Sequence, residues 1–166
     1  MKSLFHKIIK KDLHRERSGI FLETKIEKIS VLMDEHQFDS KDILEDLQKK
    51  IGVKLKSDYI LVYSQQKKPE TSDACRFFTK SDFGIFGKIK NLGLVDFLSN
   101  DFDILINYCS PDSDEARTIL LKTKAKLVAG FDDNQALQDF SFKLDRSNLI
   151  EFNTELARYL KKFELI

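Results

Sequence analysis

Phe102-Asp-Ile-Leu-Ile-Asn-Tyr108 is the stretch that decides the fold, and it is followed at once by Ser110-Pro111-Asp112. In the first stretch Ile104, Leu105 and Ile106 run apolar without alternation, between Asp103 and Asn107. A strand with one wet face alternates, whereas one covered on both faces does not. The second stretch combines a capping serine, a first-turn proline and an acid, the chemistry that opens a helix. A doubly buried strand leading directly into a helix is the unit of an α/β sheet.

The same grammar repeats on either side. Lys28-Ile-Ser-Val-Leu-Met33 predicts a first strand, running into the polar loop Asp34-Glu35-His36-Gln37. Ser40 then opens a helix with an inner face of Ile43, Leu44, Leu47 and Ile51, closed by Gly52. Tyr59-Ile-Leu-Val-Tyr63 predicts a second strand, again apolar throughout. A polar loop follows from Gln65 to Asp73, then a short strand, Arg76-Phe-Phe-Thr79. Gly84 and Gly87 punctuate Ser81 to Lys88 as an ordered turn. A short helix over Gly93 to Asn100 uses Leu94, Phe97 and Leu98.

Beyond Tyr108, Ala116, Ile119 and Leu120 mark the inner face of a helix ending near Lys124. Lys126-Leu-Val-Ala-Gly130 predicts a short strand, and Phe140-Ser-Phe-Lys-Leu-Asp145 one of strict alternation, which suits a half-exposed edge. A last helix from Ser147 or Asn148 carries Leu149, Phe152, Leu156, Leu160 and Phe163 inward. The expected architecture is a three-layer, Rossmann-like α/β sandwich with a mostly parallel sheet of about 5–6 strands. Residues 19–166 form its single domain. Fourteen Phe with four Tyr and no Trp indicate a phenylalanine-rich core rather than a stacking surface.

Residues 1–18 differ from the rest. Leu4, Phe5, Ile8, Ile9 and Leu13 lie along one helical face, and Ser18-Gly19 stops the helix. Lys2, Lys7, Lys10, Lys11, Arg15 and Arg17 against Asp12 and Glu16 give this segment +4, so an overall charge of +1 leaves −3 for the other residues. The stripe is broken by His6, Lys7, Lys10 and Lys11, which does not suit a signal peptide. No apolar run approaches the roughly 20 residues of a membrane-spanning helix. Cys75 and Cys109 form neither a disulfide framework nor a CxxC motif, so a reducing cytoplasm is the expected compartment, with peripheral attachment to the membrane as its extension.

In an open parallel sheet, ligands bind at the carboxyl ends of the strands. This chain offers Asp34, Glu35 and His36 after the first strand, Asn107, Cys109 and Ser110 after the strand ending at Tyr108, and Asp132, Asp133 and Asn134 beyond Gly130. A dinucleotide site needs glycines in its first strand–helix turn. The turn from Asp34 to Ser40 has none, and Asp34, Glu35 and Asp39 would repel a phosphate. There is no GxxxxGK[ST] loop, and no GxSxG turn to pair with His36. Asp82-Phe83-Gly84 spells the kinase magnesium triplet without the rest of the kinase motif set. The acids Asp34, Glu35, Asp132 and Asp133 suit metal ligands in type, but adjacent strand residues point to opposite faces, which separates Asp34 from Glu35. The first reading of all these acids is caps and solvated loops, and neither a cofactor nor a metal is expected. Asp112, Asp114 and Glu115 are expected to raise the Cys109 pKa, against a nucleophilic role.

Val31-Leu-Met-Asp-Glu35, the segment from Phe78 to Gly87, Asp96-Phe-Leu-Ser-Asn-Asp-Phe-Asp-Ile-Leu-Ile-Asn-Tyr108 and Val128-Ala-Gly-Phe131 resemble an uncharacterised family of small bacterial proteins of unknown function. The resemblance extends over nearly the whole chain and implies no catalytic assignment. Phe102 to Phe131 is also similar to the amino-terminal domain of lipopolysaccharide heptosyltransferases, which implies a shared half-fold alone.

The expectation with most support is a non-enzymatic binding or adaptor domain. It contacts a protein partner or an anionic membrane surface through Lys7, Lys10, Lys11, Arg15 and Arg17. The plainer alternative is that the stripe packs on the domain's own sheet or on a second subunit, with the lysines solvated. Nucleic acid is disfavoured, because no aromatics interleave with the basic run. The alternative is a small-ligand or enzymatic site at the strand ends, formed by Asp34, Glu35, Asn107, Ser110, Asp132 and Asp133.

Overall fold

Six strands form one sheet in the order β3-β2-β1-β4-β5-β6, and every neighbouring pair is parallel. The structure is a computed structural model that describes residues 24–40, 42–66, 75–110, 112–132 and 137–166. The basic segment and its Lys7, Lys10, Lys11, Arg15 and Arg17 therefore lie outside the described residues, as do Pro111 and Asp133.

The strands are β1 (Ile29–Asp34), β2 (Ile60–Tyr63), β3 (Arg76–Phe78), β4 (Ile104–Asn107), β5 (Leu127–Phe131) and β6 (Phe140–Phe142). The helices are α1 (Glu35–Phe38), α2 (Asp42–Ile51), α3 (Leu92–Ser99), α4 (Asp114–Lys122) and α5 (Leu149–Lys162). Strand periodicity divides the apolar residues between two cores. Ile29, Val31 and Met33 of β1, with Ile104 and Ile106 of β4, pack beneath α2 and α5. Leu32, Leu61, Leu105 and Val128 point the other way, beneath α3 and α4. The result is the expected three-layer sandwich, fully parallel among the described strands.

The chain winds outward from β1 through α2 to β2, and outward from β4 through α4 to β5. Right-handed crossovers running in opposite directions put their helices on opposite faces, where α2 and α4 are found. The point of reversal lies between β1 and β4. Burying both faces is what makes the central strands continuous apolar runs, and Phe78, Phe97, Phe102, Phe131 and Phe152 are each almost wholly buried in these cores.

Three local expectations change. The loop after β1 is a single helical turn, α1, in which the Gln37 side chain accepts the Asp34 N–H at 2.8 Å. The helix after β4 opens at Ser113, whose hydroxyl accepts the Ala116 N–H at 3.1 Å, rather than at Ser110. Both serines can cap, and the chain needs the extra residues to climb from the sheet onto its face. Phe163 lies beyond the end of α5 and is 54% exposed, with one side of its ring against Phe140 of the edge strand β6, centroids 5.8 Å apart. The half-exposed edge is found as expected in β6, although only Phe140–Phe142 pair.

Candidate functional site

Where β1 and β4 part, a cavity of about 550 Å³ opens at the carboxyl ends of β1, β2 and β4. This lies within the range of small-molecule sites. Asp34, Glu35, His36 and Asp39 line it from the β1–α1 turn, Tyr63, Gln65 and Gln66 from the end of β2, and Ser110, Asp112, Ser113 and Glu115 from the β4–α4 turn.

The register explains this grouping. Asp34 pairs with Tyr63 across β1 and β2, so the two rims end level. On the other side Asn107 pairs with Leu32, two residues below Asp34, leaving room for the chain from Tyr108 to Ser110 to rise beside β1. That rise is pinned at two points. Asp34 Oδ2 accepts the Ser110 N–H at 3.1 Å, and Gln37 Nε2 donates to the Tyr108 carbonyl at 2.9 Å.

Five carboxylates line the cavity, with neither Lys nor Arg among the described lining residues. Glu35 Oε2 accepts the Ser64 hydroxyl at 2.6 Å, and Glu115 Oε2 accepts the Tyr63 hydroxyl at 3.3 Å. Burial, followed by the Glu115 charge, pushes the Tyr63 phenol up to about 12, so it remains a donor. The amino end of α4 also faces the cavity through Ser113. Its partial positive charge is answered by Asp114 and Glu115 in the same first turn. Hydrogen-bond acceptors and negative charge dominate.

Of the residues expected at the strand ends, Asp34, Glu35, His36 and Ser110 come together in this cavity. Asp34 and Glu35 share it because the strand ends at Asp34 and the helical turn redirects Glu35, removing the opposition that an extended chain would impose. Asn107 is not a lining residue. It is buried, its Oδ1 accepts the Cys109 N–H at 3.0 Å, and its Nδ2 donates to Gln138 Oε1 at 3.3 Å. Asp132 is half-buried beyond β5 and does not line the cavity, while Asp133 lies outside the described residues.

Cys109 is wholly buried. Burial first and the neighbouring Asp34 second raise its pKa well above the ordinary thiol value, while Arg146 acts in the opposite direction. The expected direction holds, with burial and Asp34 supplying it rather than the acids of α4. Among the described residues no group of three or more His, Cys, Asp or Glu side chains is arranged to hold a metal ion.

The contribution of β2 is absent from the sequence reading. Tyr63, Ser64, Gln65 and Gln66 end a strand as clearly as Asp34 does, but the order β2-β1-β4 is what sets them on the same rim. Asp112 and Glu115 are legible as acids of a helix start, and only the pairing of Glu115 with Tyr63 turns one of them toward β2.

Over residues 2–163 the chain matches the model of a family of unknown function, DUF6913, and it belongs to that family. No curated protein matches the chain, and no solved structure matches it.

Proposed function

We propose that the protein binds a small organic cation, an amine, in the acid-lined cavity above β1, β2 and β4, and that it does so without chemical conversion. The observation that supports this most is the lining itself: five carboxylates and no described Lys or Arg around about 550 Å³. A cation entering such a site exchanges water for charge-assisted hydrogen bonds. A phosphate or carboxylate ligand would instead meet like charge. The buried, protonated Cys109 thiol and the firmly protonated Tyr63 phenol suit binding better than nucleophilic or basic chemistry.

The test is thermal unfolding with 1,4-diaminobutane, and separately with inorganic phosphate. At about 100-fold over its Kd a ligand stabilises by about 2.7 kcal/mol, which for a chain of this size is roughly 5–10 °C. The amine is expected to raise the midpoint, and Glu35→Gln or Asp112→Asn to weaken binding by about tenfold or more. A midpoint raised by phosphate and unmoved by the amine would overturn the reading.

A second reading has its own support in the +4 charge and apolar stripe of residues 2–17. In it, Lys7, Lys10, Lys11, Arg15 and Arg17 hold the chain to an anionic membrane surface or an acidic protein partner, as an adaptor at the cytoplasmic face. Lys10→Glu/Lys11→Glu in the full chain is expected to reduce flotation with phosphatidylserine vesicles. Unchanged flotation would dispose of the membrane form. No helix among the described residues is long and apolar enough to cross a membrane.

A further inference from the structure

Six large apolar side chains are exposed among the described residues, and four of them, Ile85, Phe86, Leu92 and Val95, fall within one stretch of eleven residues. Solvent-exposed apolar side chains scattered singly need no explanation, but a concentration of them does. Ile85 is 78% exposed, Phe86 63% and Leu92 82%.

The loop that carries Ile85 and Phe86 is built rather than loose. At its base the Thr79 N–H donates to Asp82 Oδ2 at 2.8 Å, and the Lys90 N–H donates to the Asp82 carbonyl at 2.8 Å. Phe83 and Ile89 form an antiparallel bridge, and the Gly84 N–H donates to the Lys88 carbonyl at 2.6 Å. Phe83 also packs edge-on against the buried Phe78, with ring centroids 6.1 Å apart. The aromatic at the tip is held outward in a left-handed conformation, φ 64°, which bulky residues resist. A rigid stem therefore presents two large apolar side chains to solvent.

Within the Thr79–Asn91 loop the exposed charges are all positive, and the next exposed acid along the chain, Asp96, is paired with Arg76 Nη2 at 2.8 Å. Between residues 79 and 95, Lys80, Lys88 and Lys90 are exposed, whereas the sole acid, Asp82, is buried in the stem. The Lys90 side chain lies over Gly84, its Cε only 3.0 Å from where a Cβ would stand. Protein interfaces are depleted in Lys. An anionic bilayer, in contrast, takes apolar side chains into its acyl boundary and lysines at its headgroups.

We propose that the loop from Thr79 to Asn91 docks on an anionic membrane surface, with Ile85 and Phe86 inserted and Lys80, Lys88 and Lys90 on the headgroups. The proposal does not rest on the amine cavity. It shares the membrane with the second reading above but is carried by different residues, so the two can fail separately. Two such weak contacts on one chain would also hold it better than either alone.

Because the chain has no Trp, Phe86→Trp in the full-length protein supplies a single fluorescent reporter at the tip. Its emission is expected to shift to the blue with vesicles of phosphatidylcholine containing about one-third phosphatidylserine, and to stay put with phosphatidylcholine alone. In flotation, Ile85→Ser/Phe86→Ser and Lys88→Glu/Lys90→Glu are each expected to lower vesicle binding about tenfold. Circular dichroism and the thermal midpoint should stay at parental values, and if the serine pair misfolds, Phe86→Gly, which suits the positive φ, takes its place. Vesicle binding unaffected by the tip variants but lost in Lys10→Glu/Lys11→Glu overturns the proposal and leaves the second reading standing. A tip reporter that shifts only with protein concentration, through self-association, overturns it as well.

Discussion

Replacing Asp103 with Ala should remove the clasp that holds β1 to β4 and β5 at the end of the sheet opposite the cavity. Asp103 Oδ2 accepts the N–H groups of both Glu27 and Lys28 at 2.9 Å, and Oδ1 accepts Lys126 Nζ at 2.9 Å. Its side chain is only 12% exposed. Hydrogen bonds to a charged group contribute about 1.5–3 kcal/mol each. Two that share one oxygen do not add in full, and the Lys126 pair, whose lysine is 41% exposed, adds roughly 0–1 kcal/mol. The expected loss is roughly 2–4 kcal/mol, a large part of a typical stability of about 5–15 kcal/mol. Urea unfolding with a slope of about 2 kcal/mol per molar should show the midpoint falling by roughly 1–2 M.

The same clasp has a pH signature. Burial raises the Asp103 pKa, but the N–H groups of Glu27 and Lys28 together with Lys126 outweigh it, and the carboxyl is held below its ordinary value of 3.8. A carboxyl lowered by folding contributes its stability above the unfolded value and loses it as pH falls through the folded one. The gap between the parent and the Ala variant should therefore be full at pH 7 and narrow only below 3.8. Asp103→Asn, which retains an acceptor oxygen without the charge, should lose about half as much. A loss below about 0.5 kcal/mol at pH 7, the scale of an ordinary surface change, would refute this account. So would a gap that does not narrow in acid.

Gly130→Ala should cost roughly 2–4 kcal/mol of stability. A Cβ there would stand 2.0 Å from Gln138 Oε1, displacing a side chain that donates to the Phe131 carbonyl at 2.6 Å and to Ser141 at 3.1 Å. A thermal midpoint within a degree or so of the parent's would count against that view. Cys75, pushed up to about 12 by burial, and the buried Cys109 should both react slowly with a disulfide reagent at pH 8 and rapidly in urea. Fast labelling of the folded chain at either thiol would show that the strand ends open far more readily than their packing allows.

The alternation of apolar and polar residues depends on local chemistry, and this is why the sequence was informative about elements. Phe102 to Tyr108 reads as doubly buried because Ile104, Leu105 and Ile106 run apolar without alternation, and its strand lies inside the sheet, between β1 and β5. Phe140 to Asp145 alternates, and β6 is at an edge. Capping was less legible. Ser110 and Ser113 are equivalent to a short-range reading, and only the path from β4 onto the face of the sheet selects Ser113.

Neighbourhood, in contrast, is a property of the folded sheet. The sequence alone determined a three-layer α/β protein with acids after its strands, and a segment over residues 2–17 more basic than the remainder. Which acids meet was decided by tertiary structure. The order β2-β1-β4 and the pairing of Asp34 with Tyr63 bring Glu35, Glu115 and Asp34 around one cavity. The pairing of Asn107 with Leu32 drops that amide two residues below the rim and into the hydrogen bonds that tie it to Gln138. Strand register is set by long-range hydrogen bonding between segments 29 and 75 residues apart, and no local pattern encodes which strand lies beside which. Periodicity names the faces of each strand, but only pairing sets its height in the sheet, and the height of these strand ends is what makes the cavity.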